Sequence, residues 1–355
     1  MLPALSHAEP ADLQSALEAI RVKHHLPALG AAYFTTDGLI EQAVTGVRKA
    51  GTDIPATTED LWHLGSDTKA MTATALATYV RDRKLSWDSR IISFFLEDAA
   101  LAPDRVKDIT LSQILSHRAG MIEDLDWRAI ATGGGSLTRQ RLAAVRMALK
   151  SPKYPAGDFH YSNTDYVIAG AILEKLSGEP WEKVMMDRVF TPLHMNSAGF
   201  GGTGTPGQVD EPWPHFKTGQ PAPANGPDTD NPEVMGPAGT VHCTIADWVR
   251  FLTDQLRGGA GLPAMLPAAM YGAMQSPHPP DGDYGYGWLI ADRDWAGGKA
   301  LNHAGSNTMN FADCWLAPNR KFGVLAVTNE GGDTEAFPAC DEAVGWLIEH
   351  PPAPR

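Results

Sequence analysis

Residues 65–84 read GSDTKAMTATALATYVRDRK. From Ser66 onward the stretch contains no Gly or Pro and is rich in Ala, Leu and Met. It carries Met71, Leu76, Tyr79 and Val80 on an apolar face, so it predicts a long, largely buried helix. Ser66 stands at the start of that helix, where unpaired N–H groups and the helix dipole favour negative charge developing on a bound oxygen. Lys69 follows three residues later on the same face. A free serine hydroxyl is a weak nucleophile at neutral pH and needs a proton acceptor, which a buried lysine with a lowered pKa supplies. The tetrapeptide is short, and taken alone it fits equally well a capped helix followed by a solvated lysine.

Outward from this helix, Leu13, Leu17 and Ile20 fall at helical spacing within residues 11–24, and Pro27 stops the pattern. Ala31–Phe34 and Leu39–Val44 flank Asp37-Gly38, the dipeptide of a tight hairpin turn, and predict two antiparallel strands. On the other side, Pro and Gly break the chain up to about residue 240 into short helical pieces, among them Leu111–Ser116, Arg139–Leu149 and Asp165–Leu176. GFGGTGTPG and PAPANGPDTDNP, between Gly199 and Pro232, predict a coiled excursion over or beside the site. Thr244–Leu256 reads as a helix. Gly285–Ile290, Phe311–Leu316 and Gly323–Thr328 read as strands, the last two joined by a turn at Pro318-Asn319, and Glu335–Glu349 reads as a closing amphipathic helix.

This order predicts an α/β chain of two lobes: one antiparallel sheet flanked by N- and C-terminal helices, plus an inserted, mostly helical lobe. Residues 1–65 and 241–355 form the α/β lobe and 66–240 the helical lobe, with the loop excursion near 199–232. The cleft between lobes is the expected site.

Composition fits a folded globular chain with many turns: 43% apolar and 20% charged residues, 35 Gly and 27 Pro among 355. The formal charge of −13, with no run of basic residues, argues against nucleic acid and anionic membrane as partners. Cys243, Cys314 and Cys340 form no CxxC pair and are odd in number, which points to buried packing rather than to disulfides or a zinc site. MLPALSHAEP has neither a basic nor an apolar signal region, so the chain as written is expected to be cytoplasmic; a chain trimmed of its leader would be periplasmic. Oligomeric state leaves no signal in the sequence.

Two further motifs carry chemistry. Tyr161-Ser162-Asn163 follows the turn Pro155-Ala156-Gly157, in a loop before the helix from Asp165. A tyrosine with a lowered pKa can act as base for the serine or acid for the leaving group, and an asparagine amide can hold a substrate carbonyl. His303-Ala304-Gly305-Ser306 sits between apolar segments, where a strand edge is expected. There Gly305 would let a ligand approach the backbone, and the Ser306 N–H could pair with that of Ser66 as an oxyanion hole.

In order and separation, SDTK, YSN and HAG resemble the three active-site motifs of the penicillin-recognising serine hydrolases: class C β-lactamases, D-alanyl-D-alanine carboxypeptidases and β-lactamase-like carboxylesterases. ITLSQILSHRAGM, the region from PAGDFHYSN to FTPLHM, GPAGTVHCTIADWVRFL and YGYGWLI are similar to the family's intervening segments, so the resemblance covers nearly the whole chain. It implies a β-lactamase/transpeptidase-like fold and an acyl-enzyme mechanism without metal or cofactor. Ser66 would be the nucleophile, and Lys69 and Tyr161 the proton-handling pair. Asn163 would be a substrate-binding and lysine-orienting amide, Gly305 a flexible point of the strand, and Ser66 and Ser306 the oxyanion-hole donors. One departure bears on substrate: where the β-lactamases place Lys-Thr-Gly this chain has His303-Ala304-Gly305. A mostly neutral histidine and an alanine without hydroxyl are a poor match for a β-lactam carboxylate.

Other signals fall away. Gly199-Phe200-Gly201-Gly202-Thr203-Gly204 fits GxGxxG by letter but lacks the strand and helix that dinucleotide binding requires. HExxH and GxSxG are absent, and the resemblance implies that His117 in LSHRAG is a structural histidine bonded to backbone rather than a triad member. The expected activity is that of a carboxylesterase on small acyl esters, since a chain without export signal has no access to peptidoglycan. The alternatives are a D-amino-acid-specific peptidase or amidase with weak β-lactam binding or hydrolysis, and a silent binding module on the same fold, against which intact Ser66, Lys69 and Tyr161 argue.

Overall fold

The computed structural model describes residues 12–353; residues 1–11, where an export signal was sought, lie outside the described part. The labelled helices are α1 (Leu13–Lys23), α2 (Thr68–Arg81), α3 (Leu137–Lys150), α4 (Asn163–Ser177), α5 (Ile245–Gly259) and α6 (Ala336–Glu349). The strands of the main sheet are β1 (Ala28–Thr35), β2 (Gly38–Gly46), β3 (Leu289–Arg293), β4 (Gly298–Ser306), β5 (Phe311–Ala317) and β6 (Phe322–Thr328). They pair antiparallel in the order β2-β1-β6-β5-β4-β3, so both chain ends build one sheet and the helical middle is inserted between them.

Period-two alternation gives this sheet two buried faces. Leu29, Ala31, Val324 and Ala326 pack under α1 and α6. Ala32, Phe34, Leu325 and Val327 face the other way, in one core with Trp248 and Leu252 of α5. The hairpin turn falls on Thr36-Asp37, one residue earlier than expected, because Gly38 at φ 114° is already paired with Thr35.

α2 is buried on all sides from Thr68 to Tyr79, not along one apolar stripe. Its threonines are tolerated inside because each hydroxyl is hydrogen-bonded: Thr72 donates to the Pro237 carbonyl, Thr74 to Ala70 and Thr78 to Ala75, at 2.7–2.8 Å, and Thr68 accepts from the Val241 N–H at 3.1 Å. The three cysteines are free and buried, as packing residues.

Two expectations need correction. The strand placed at Gly285–Ile290 begins at Leu289, because Gly287 turns at φ 80° and lies against α2, where a methyl group would sit 2.6 Å from the Ala70 backbone. The helix placed from Asp165 begins at Asn163, capped by Ser162, whose Oγ accepts from the Asp165 N–H at 3.1 Å. No helix among the described residues is long and apolar enough to cross a membrane.

Candidate active site

Ser66 lies in the 3₁₀ turn Gly65–Asp67 that leads into α2. Pairing between β3 and β4 ends at Leu289 and Asn302, so His303–Ser306 has no strand neighbour on that side, and the Ser66 turn packs there instead. The approach is so close that only glycines fit. A methyl group on Gly305 would lie 2.0 Å from the Leu64 carbonyl oxygen and 2.6 Å from the Ser66 nitrogen; one on Gly65 would lie 2.3 Å from the Ser306 nitrogen. Gly305 therefore admits the chain's own turn, where the sequence suggested an approaching ligand. The same junction gathers the Ser66 and Ser306 backbone nitrogens.

Lys69 is fully buried and its Nζ has three partners: Ser66 Oγ at 2.9 Å, Asn163 Oδ1 at 2.8 Å and the Ala238 carbonyl at 2.8 Å. The last two can only accept. An unprotonated Lys69 would give its two N–H bonds to them and turn its lone pair toward the Ser66 hydroxyl. Burial lowers the Lys69 pKa to about 7, against the opposing fields of Asp124, Asp67 and Asp165. The group is thus poised to exchange a proton with Ser66 near neutrality.

The Tyr161 ring centroid lies 4.8 Å from Lys69 Nζ and 4.4 Å from the His117 ring. Tyr161 is 36% exposed, yet the dense surroundings push its phenol above the ordinary value, with the Ser66 hydroxyl pulling the other way. A lowered phenol pKa, one of the options left by the sequence, is not what this environment produces. His117, buried beside it, accepts the Ser162 N–H on Nδ1 at 3.1 Å, the backbone bond expected of a structural histidine. Asn163 bridges two groups: its Oδ1 accepts from Lys69, and its Nδ2 donates to Asp124 Oδ1 at 3.0 Å.

His303 is 5% exposed and turns inward, with Nε2 2.9 Å from the Tyr284 hydroxyl. Burial and the field of Lys69 depress its pKa to about 3, so it stays neutral. Among the described residues its Nδ1 has no hydrogen-bond partner; Asp67 Oδ1 lies 4.0 Å away.

Ser66, Asn163 and Ser306 open on a cleft of about 470 Å³, walled by Trp127 and Met235 and rimmed by Asp124, Asp126 and Arg128. Tyr161, His303 and Gly305 are not among the residues lining that cleft, although Tyr161 is 36% exposed and its phenol feels the Ser66 hydroxyl. The reading of the sequence missed Asp124, Tyr284 and the Ala238 carbonyl. Tyr284 sits in YGYGWLI, a segment that resembled the family without marking it; Asp124 falls between the segments that carried the resemblance, and a backbone carbonyl leaves no trace in side-chain identity. Among the described residues, no group of three or more His, Cys, Asp or Glu is arranged to hold a metal.

The profile of the family described as Beta-lactamase matches residues 13–345. The chain belongs to the beta-lactamase family. As a member it is a serine hydrolase. Penicillin-binding protein 4 of Amycolatopsis lactamdurans is 26% identical to it over 346 residues, covering 91% of this chain and 86% of that protein. Two solved structures show the same fold. The octameric penicillin-binding protein homologue from Pyrococcus abyssi has a TM-score of 0.75 at 22% identity, over 95% of this chain and 77% of that one. A D-stereospecific amidohydrolase from Streptomyces sp. has a TM-score of 0.71 at 22% identity, over 96% and 98%. In this beta-lactamase-family chain the histidine on β4 points inward to Tyr284.

Proposed function

We propose that this hydrolase works through an acyl-enzyme on Ser66 and acts as a carboxylesterase on small acyl esters. The observation that carries the reading is Lys69 Nζ at 2.9 Å from Ser66 Oγ, with its other two partners restricted to accepting. Ser66 Oγ attacks the ester carbonyl and passes its proton to Lys69. The tetrahedral oxygen takes the N–H groups of Ser66 and Ser306. Collapse breaks the bond to the leaving oxygen, which recovers the proton through Tyr161. Water then attacks the acyl-enzyme, gives a proton to Lys69, and releases the acid as Ser66 regains its hydrogen.

The ester preference rests on charge. The β4 position that would face a substrate carboxylate carries the neutral, inward His303, and the cleft rim holds two carboxylates against one arginine. A second reading, hydrolysis of peptides or amides with a D-residue, is favoured by a relative from Escherichia coli (strain K12) named putative D-alanyl-D-alanine carboxypeptidase, 29% identical over 154 residues that cover 41% of this chain and 35% of that protein.

The test is a panel of p-nitrophenyl esters, nitrocefin and a D-Ala-D-Ala peptide, run with the wild-type enzyme and Ser66→Ala. A Ser66-dependent burst of p-nitrophenol, with esters leading in kcat/KM, is expected. If the peptide led by orders of magnitude, the ester reading would fail. If an active-site-directed phosphonate left Ser66 unmodified, the acyl-enzyme would fail with it.

A further inference from the structure

The segments that bear Ser66 and Ser306 come from opposite ends of the chain, and a buried carboxylate outside both of them ties them together. Asp230 closes the loop excursion, and its side chain is 1% exposed. Its Oδ2 takes the Nε2–H of His63 at 2.8 Å. His63 Nδ1 in turn accepts the Gly65 N–H at 3.1 Å, which fixes the tautomer with its hydrogen on Nε2. The other carboxylate oxygen, Oδ1, takes Asn307 Nδ2 at 2.8 Å. Asn307 Oδ1 accepts from the Met309 N–H at 3.2 Å and from Asn310 Nδ2 at 3.1 Å. Ser306 Oγ closes the same turn by donating to the Asn310 carbonyl at 2.7 Å. One carboxylate therefore reaches the residue before Ser66 through one imidazole and the residue after Ser306 through one amide.

We propose that Asp230 is the positioning residue of the oxyanion hole, holding the Gly65–Ser66 and Ser306–Asn307 segments in register through His63 and Asn307. The inference rests on the acyl-enzyme reading of Ser66. Stabilising a developing oxyanion depends on donors fixed in place before the reaction, so a small relative shift of the two segments weakens it without blocking access to the cleft. A carboxylate suits the junction because two acceptor oxygens in a rigid fork take one hydrogen from each segment, and charge-assisted bonds are stronger than neutral ones. Neither His63 nor Asp230 is among the residues lining the cleft, so neither touches a substrate there; Asn231 and Pro232, next to Asp230, do line it, and a disturbance of those two would appear in KM, whereas a shift of the two backbone segments would appear in the rate of oxyanion formation.

Asp230→Asn leaves a single acceptor oxygen and presents an NH₂ group to the other donor. Asn307→Ala cuts one arm only and keeps the His63–Asp230 pair, so it carries the test if Asp230→Asn does not fold. The experiment measures the p-nitrophenyl acetate burst and the second-order rate at which an alkyl fluorophosphonate modifies Ser66, since both form an oxygen held in the same hole. We expect Asp230→Asn to slow both rates about 100-fold and Asn307→Ala about tenfold, with KM within about threefold of wild type. A loss confined to KM, or unchanged rates in the folded variants while the wild-type enzyme is labelled at Ser66, overturns the inference alone. Absence of Ser66 labelling in the wild-type enzyme overturns the functional reading and takes the inference down as well.

Discussion

Lys69 and His303 are both buried nitrogen bases close to the Ser66 turn, and they are held in opposite ways. Lys69 has three partners within 2.9 Å, and its pKa is lowered to about 7. The His303 ring is bonded through Nε2 to Tyr284, while among the described residues its Nδ1 and the Oδ2 of Asp67 both lack a side-chain partner. With its pKa near 3, the histidine does not titrate where the lysine does. Two titratable groups pushed apart in this way are suited to different work: the lysine is poised to exchange a proton near neutrality, and the histidine, neutral there, is bonded to Tyr284. The satisfied side of the turn is built for exchange, and the unsatisfied side marks where the chain departs from Lys-Thr-Gly.

Removing the satisfied side should give the largest effect. Lys69→Ala is expected to lower kcat/KM for a p-nitrophenyl ester by about 10⁴-fold at pH 7.5. Only the unprotonated amine accepts the Ser66 proton, so wild-type kcat/KM should rise through a pKa of about 7 and level off above it. The variant should lose that inflection. Appreciable residual activity, rising instead toward the phenol range, would move the base from Lys69 to Tyr161.

Tyr161 sharpens the division further. Its phenol is held up by its surroundings, so it stays protonated and is suited to donate. Tyr161→Phe should therefore cost about 100-fold on an alkyl ester or an amide, whose leaving groups need a proton. On a p-nitrophenyl ester, whose leaving group departs as the anion, the cost should be under about tenfold. Equal losses on both substrates would remove the acid role.

The two sides of the turn were unequally legible in the sequence. Ser66, Lys69, Tyr161 and Asn163 could be read because each stands in a short motif, and the structure brings Lys69 into hydrogen-bond contact with Ser66 and Asn163. Hairpin, most sheet strands and terminal helices followed from alternation and periodicity; a glycine changed the path at Gly38 and Gly287, and β4 was anticipated only as an edge at His303–Ser306. Side-chain direction did not follow. Nothing in HAG says that the histidine points inward to Tyr284, or that Gly305 makes room for the Leu64 carbonyl. His63, Asp230 and Asn307 are separated by 167 and 77 positions, and a network assembled from three distant segments has no local pattern.

The smallest effect should come from repairing the unsatisfied side. Asp67 is buried, with Oδ2 unpartnered among the described residues and Oδ1 taking the Cys314 thiol, and burial beside Asp313 raises its pKa well above the ordinary value. A carboxyl whose folded pKa is raised contributes stability that is present below the unfolded value and lost as pH rises through the folded one. Asp67→Asn removes that loss and offers an N–H to the empty Nδ1 of His303. Denaturant unfolding should show the variant more stable by about 1 kcal/mol at pH 8, with a smaller gap at pH 4. Because the charge of Asp67 helps to hold the Lys69 pKa up, the inflection in kcat/KM should move below that of wild type, with plateau activity within about threefold. A variant less stable than wild type at pH 8 would mean that the ionised Asp67 is a needed partner of Lys69, and that the two sides of the turn form one network.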